Sequence, residues 1–327
     1  MTDVVITCDD LQAALDFYTG PLGFRIDTIF PADAPREARL SGHGLTVAMH
    51  GAPAPARDRY EPAVVVTRQG DGGFGAGRAG MQYRDFLPDR FGGRVIASHI
   101  RIPDGGPVAD YVHHHDVGFQ VIFCVKGWVR VVYEDQGEPM RMQAGDCFLQ
   151  PPHIRHRVLE CSDGMEVVEI ASPAEHETSV DHDMSLPNGV IDPARVFGGQ
   201  RFVFSEATAA VWQDAGIPGL VCRDTGIGAA TGGTGSVKVL RAPGGCDALP
   251  LGHDGEFRFV FVLKGHTAEL AAGDACAVSP GIDYSLERLS PGFEALDVCL
   301  GVGSGSEWGR IRVGVGSDPG IRPRSDP

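Results

Sequence analysis

The side chains with the most chemistry in them sit close together in the sequence: His113, His114 and His115 in a row, then Gln120, then His153 and His156. In an extended strand the side chains alternate, so His113 and His115 share one face and His114 takes the other. Two imidazoles on one face, a third from His156 and the amide oxygen of Gln120 make a donor set for a divalent metal, provided that the chain folds back to close them. The apolar runs Val117 to Val125 and Trp128 to Tyr133 on either side of the glutamine read as strands and supply that fold-back. Further candidates follow from position. His153, three residues before His156, and His99, on the preceding strand, are placed to move protons. Tyr111, Phe119, Phe123 and Arg155 are candidates for contact with a substrate. The segment 174–184, rich in histidine and carboxylates, reads as a polar strap across the barrel.

The spacing has a family likeness. Gly106, His113, His115, Gln120 and Gly127 follow the first motif of the cupin family, and Gly145, Pro151 and His156 follow the second, with His153 where glycine is usual. The chain therefore resembles the cupins, and the resemblance implies a jelly-roll β-barrel with His113, His115, Gln120 and His156 as metal ligands. Many cupins carry glutamate where Gln120 stands. A glutamine is a neutral donor, so three imidazoles and an amide leave the charge of a divalent ion uncompensated, which favours an anionic or enolate-forming substrate.

Composition bounds the rest. The 327 residues allow two or three domains, and 45 glycines with 23 prolines suit a turn-rich β protein. The formal charge is −15 without a basic cluster, which argues against nucleic acid or an anionic membrane surface as partner. The eight cysteines are scattered and form no C-x-x-C pair, and they read as small buried hydrophobes. With no secretory signal and no apolar run of the ~18 residues that a membrane span needs, a cytoplasmic protein is expected.

The fold class expected is mainly β: two cupin barrels in tandem after a small α+β module. Residues 1–56 give a β-α-β-β-β pattern containing Asp10-Leu11, Phe17-Tyr18 and Leu22-Gly23-Phe24, which looks like one half of the vicinal oxygen chelate (glyoxalase) fold. Asp3 stands where that family often has a metal histidine, so the module is expected to bind no metal and to act as a lid or an oligomerisation unit. Residues 57–80 are expected to form a linker with one strand near 63–67, 81–185 the metal-binding barrel, 186–208 a second linker, 209–302 a second barrel and 303–327 a tail in which Arg310 to Val315 is a candidate edge strand.

The second barrel rests on an internal repeat. Cys222-Arg223-Asp224 follows Tyr83-Arg84-Asp85 at an offset of 139, Phe257 to Gly265 follows Phe119 to Gly127 at 138, and Gly273-Asp274 follows Gly145-Asp146 at 128. At these offsets the four ligand positions become Leu251, His253, Arg258 and Tyr284, so the second copy is expected to be structural, or at most to hold an anion.

A mononuclear site with open positions suits several chemistries. The first expectation is a non-haem dioxygenase with one divalent metal per chain, Fe(II) favoured and Zn, Ni, Mn or Cu allowed, acting on a small enolisable or aromatic molecule. The second is a redox-neutral, zinc-dependent cyclase, isomerase or lyase, since the histidine strings are also similar to small cupins described as aromatic polyketide cyclases. The third is a ligand-binding bicupin without catalysis. A homodimer is expected.

Overall fold

The computed structural model describes residues 3–31, 33–53, 61–77 and 80–301. The chain begins with a β-α-β-β-β module at the expected positions. The strand Asp3–Thr7 runs parallel to Leu45–His50, and Glu37–Gly42 and Arg25–Phe30 continue the sheet antiparallel. The helix Leu11–Thr19 is capped by Asp10, whose side chain accepts from the Ala13 amide at 3.0 Å, and it lays Leu11 and Leu15 on Leu40, Val47 and Met49. This module is not a bead on a string. Its strand Arg25–Phe30 pairs with Thr178–Val180, the polar strap, which pairs in turn with His113–His115. Module and first barrel therefore share one sheet, which runs on through His156–Cys161, Trp128–Tyr133 and Met140–Gln143.

The other wall of the first barrel is a seven-stranded sheet built on Phe119–Lys126, Met165–Ser172 and Ile96–Ile102. The second barrel repeats it with Phe257–Lys264, Phe293–Leu300 and Gly235–Ala242. The duplication extends to irregularities: the register shift between Cys124 and Lys126 recurs between Val262 and Lys264. The two barrels stack back to back, and Phe119, Phe123, Val168 and Ile170 of one interlock with Phe257, Phe259, Phe261 and Val298 of the other in a single core.

Both stretches expected as linkers carry strands, and these are exchanged. Val64–Thr67, ahead of the first barrel, pairs with Ala275–Val278 of the second. Val203–Ser205, ahead of the second barrel, pairs with Cys147–Leu149 of the first. Each is β-branched or aromatic and borders an unpaired sheet edge, which would otherwise expose a row of backbone donors and acceptors. The Arg310 to Val315 strand lies outside the described residues. All eight cysteines are free thiols, and burial pushes those of Cys124, Cys147, Cys276 and Cys299 up to about 12, as expected for inert side chains.

The interior of the second barrel is filled. Leu251 is fully buried, His253 Nε2 lies 2.8 Å from the Val278 carbonyl, and the Tyr284 hydroxyl donates to Glu269 at 2.6 Å. Arg258 donates through Nε and Nη2 to the two Asp297 oxygens, both at 2.9 Å, and through Nη1 to the Pro250 carbonyl at 3.1 Å. Burial works against its charge, and the Asp297 carboxylate more than offsets that, holding the guanidinium above the ordinary arginine range. The anion that Arg258 binds is thus the chain's own. Because this pair is dry, Asp297→Ala should cost about 3–5 kcal/mol, whereas the apolar double replacement Arg258→Met/Asp297→Leu should cost far less. Chemical denaturation of the two variants checks this, with equal losses counting against it.

Candidate metal centre

Three imidazoles meet on the inner face of the shared sheet. His113 and His115 point inward from one short strand, and His156 lies directly opposite His113 in the neighbouring strand. The ring centroids are 4.3 Å apart for His113 and His156, 5.1 Å for His113 and His115, and 5.3 Å for His115 and His156. All three residues are buried, and one ligand atom from each falls within 4.8 Å of the others.

The outer nitrogens explain why the rings hold this pose. His113 Nδ1 lies 2.7 Å from the Tyr111 carbonyl, His156 Nδ1 3.0 Å from the Ile154 carbonyl, and His115 Nδ1 2.7 Å from the Thr178 hydroxyl. A carbonyl accepts only, so it fixes the proton on Nδ1 and leaves Nε2 as the ligand nitrogen. Asp110, fully buried, adds a carboxylate oxygen 3.5 Å from His113 Nδ1 while it accepts the Val158 amide at 2.9 Å. Three oriented imidazoles that converge on one point are what a divalent transition metal requires, so the residues fit such an ion.

Gln120 reaches the same cavity from the facing sheet. It is buried, and its Nε2 donates to Glu169 Oε1 at 2.5 Å. The cavity holds about 110 Å³. Its wall is mostly apolar, with Ile100, Ile122, Val131, Phe148 and Val167 among the lining residues, and its polar members include Ser98, Tyr133, Gln150, Glu169, His176 and Asp33. Burial raises the Tyr133 hydroxyl well above the ordinary tyrosine range, and its bond to the Gln150 side chain offsets this only in part, so it stays protonated near neutral pH. No lysine or arginine is among the described residues that line the space.

The other candidates from the sequence lie elsewhere. On the strand Ile96–Ile102, Ile96, Ser98, Ile100 and Ile102 face the cavity, so alternation turns His99 away. It stacks on Phe86 and lies 2.9 Å from Glu166 and 3.3 Å from Arg84. Burial, opposed by Glu166 and reinforced by Arg84, lowers its pKa. The same parity removes Phe119 and Phe123: Gln120 and Ile122 face inward, so the two phenylalanines face the second barrel. Tyr111 is 60% exposed and serves through its backbone carbonyl. Arg155 is occupied by Asp181 at 3.0 Å, outside the cavity. His153 is half exposed, 3.6 Å from Asp116, and its backbone at φ 63° is left-handed, which accounts for the glycine that the motif usually has there.

The sequence does not single out Glu169 or Asp33, and it marks Thr178 and His176 only as members of the strap. Glu169 had a signal, as a carboxylate in the middle of the apolar strand Met165–Ser172. Thr178 and His176 lie in the strap, and His176 packs its ring 5.4 Å from His115. Asp33 comes from the amino-terminal module, so the module reaches the cavity; Arg90 binds Asp33, and Arg36 binds Glu175 of the strap at 2.7 Å.

The Thr178 contact is the most exposed to test. Thr178→Val keeps the shape but removes the partner of His115 Nδ1, and metal affinity should fall about 10- to 100-fold with little change in the fold. Titration of the metal-free protein with Co(II) or Zn(II) measures this, and wild-type affinity would remove Thr178 from the account.

Residues 98–170 match the cupin domain. No curated protein matches the chain significantly. Among solved structures, the chain is similar to a variant of salicylate 1,2-dioxygenase from Pseudoaminobacter salicylatoxidans, at 14% identity and a TM-score of 0.52 over 75% of this chain and 86% of that one. It is similar also to the oxalate decarboxylase of Bacillus subtilis with its Mn(II) centres, at 11% identity and a TM-score of 0.51 over 76% and 78%. The E. coli protein Ylba gives 10% identity and a TM-score of 0.51 over 74% and 94%. At such identities the likeness speaks for the fold: the chain is two jelly-roll barrels in tandem, and residues 98–170 of the first match the cupin domain.

Proposed function

We propose that the chain is a metal-dependent bicupin enzyme, and that a non-haem dioxygenase acting on a small enolisable or aromatic molecule is the reading the site supports best. The observation that carries it is the meeting of three anchored imidazoles at the edge of an apolar cavity of about 110 Å³. A divalent ion held by His113, His115 and His156, with Gln120 as the further donor, would supply Lewis acidity or, as Fe(II), redox chemistry with O₂.

The chain's own residues set what can enter and what happens to its protons. An apolar cavity of about 150 Å³ is known to bind benzene, so about 110 Å³ limits the substrate to a small ring or a short chain. The aliphatic wall excludes water around it. Asp33 and Glu169 are the lining carboxylates, Asp33 with Arg90 bound to it, and a divalent ion would set two positive charges against them, so the site suits a substrate that arrives neutral or with a single negative charge. Glu169 is placed to take a proton from an acidic C–H or O–H, and the protonated Tyr133 hydroxyl is placed to donate a hydrogen bond to the oxygen left behind.

Glu169 also favours a second reading, a redox-neutral zinc-dependent isomerase, cyclase or lyase, because a base in the cavity serves proton transfer without oxygen. Elemental analysis of freshly purified protein, run beside an oxygen electrode with Fe(II) and a 1,3-dicarbonyl or a catechol, separates the two. Iron-dependent O₂ uptake is expected, and it should vanish in His113→Ala and His156→Ala together with stoichiometric metal. Tight zinc without O₂ uptake would move the conclusion to the redox-neutral reading, and full metal retention in either variant would overturn the ligand assignment.

A further inference from the structure

We propose that Glu169 is a positioning residue for the fourth ligand: it turns the Gln120 amide so that the oxygen, and not the nitrogen, is presented to the three imidazoles. The proposal rests on reading His113, His115 and His156 as a metal site. A glutamine side chain has two unlike ends, a carbonyl oxygen that can ligate a cation and an NH₂ group that cannot. Apolar walls alone do not choose between them. Here Gln120 Nε2 donates to Glu169 Oε1 at 2.5 Å, so the carboxyl oxygen holds the NH₂ end of the amide. The contact therefore ties down the NH₂ end and leaves the oxygen as the end that remains for the cavity.

The backbone sets this up. Gln120 and Glu169 stand on neighbouring antiparallel strands in which Gln120 pairs with Ala171 and Ile122 with Glu169, so the two are diagonal neighbours on one face. Both line the cavity that the imidazoles line.

The second barrel carries the same diagonal. Arg258 pairs with Cys299 and Val260 with Asp297, and the Arg258 guanidinium is bound to the Asp297 carboxylate there. Both barrels thus keep an acid at this register position and use it to hold the side chain two residues across. Arginine has no acceptor to offer a cation, and the second barrel has no histidine trio. The difference suits a division in which the acid orients a ligand in one barrel and neutralises a charge in the other.

The pair also adds a carboxyl group that the donor set read from the sequence lacks, in hydrogen-bond contact with the amide. A carboxylate is thus supplied one residue removed, behind the glutamine, where many cupins place it directly.

The test uses the full-length, metal-free protein titrated with Co(II), read by affinity and by the visible absorption bands that report its ligand set. Glu169→Gln is nearly isosteric but offers Gln120 either end of an amide, and Glu169→Leu offers neither. Both should weaken Co(II) binding about 10- to 100-fold and change the bands. The exchange Gln120→Glu/Glu169→Gln re-forms the hydrogen bond with its direction reversed and keeps the net charge, so it should restore affinity to the wild-type level or above. Wild-type affinity and bands in Glu169→Gln would overturn the proposal, as would a loss of thermal stability in the metal-free protein with the bands unchanged, which is what a purely structural contact gives. His113→Ala separates the two levels: if it binds Co(II) like the wild type, the metal-site reading itself has failed, whereas loss of binding in His113→Ala with none in Glu169→Gln removes only the role of Glu169.

Discussion

The site depends on the clamping of one three-residue strand. His113–His115 is too short to hold a conformation by itself, and it is fixed because it lies between His156–Cys161 on one side and Thr178–Val180 on the other. One neighbour brings His156 opposite His113, and the other brings the Thr178 hydroxyl to His115. Pairing in a sheet is specific because a slip of one residue would send every side chain to the opposite face. The strap strand Thr178–Val180 would itself be an edge, and the amino-terminal module covers it with Arg25–Phe30. The module is therefore coupled to the geometry of the imidazole trio through two strand pairings, besides placing Asp33 in the cavity wall.

The second barrel matters through the other sheet. Phe119, Val121 and Phe123 alternate with the cavity-facing Gln120 and Ile122, and their burial depends on Phe257, Phe259 and Phe261 opposite them. Full burial of side chains of this size is worth roughly 1.5–3 kcal/mol each, so the back-to-back core fixes the strand from which Gln120 projects. The exchanged strands Val64–Thr67 and Val203–Ser205 close each barrel with chain that leads into the other. A barrel without the histidine trio is still needed as the second half of this core.

Much of the architecture is legible in the residues themselves. The histidine spacing brings out the trio, because two rings on one strand face and a third after a second motif rarely fall in this order by chance. The repeat brings out the second barrel, since Phe257 to Gly265 keeps the two phenylalanines, the lysine and the glycine of Phe119 to Gly127 at the same spacing. Parity decides against other candidates. Once Gln120 is placed inward, Phe119 and Phe123 must face outward, and once the inner face of Ile96–Ile102 is taken by isoleucines, His99 must leave it. Long-range partners were harder. Nothing near Thr178 in the chain tells that its hydroxyl meets His115, 63 residues away, and the edges that Val64–Thr67 and Val203–Ser205 complete are visible only in the folded sheets.

The cavity's electrostatics bear on which substrates a site like this can take. Two unit charges 4 Å apart interact by about 4 kcal/mol at the effective dielectric of a partly buried site. Of the two carboxylates that line the cavity, Asp33 has the Arg90 guanidinium bound to it and Glu169 holds the Gln120 amide. Arg90 is bound to Asp33 and to Asp85, so its charge is already committed. A divalent ion at the imidazoles would add two positive charges to this balance, so the charge that a substrate meets would be set by the ion and by the carboxylates of the wall together.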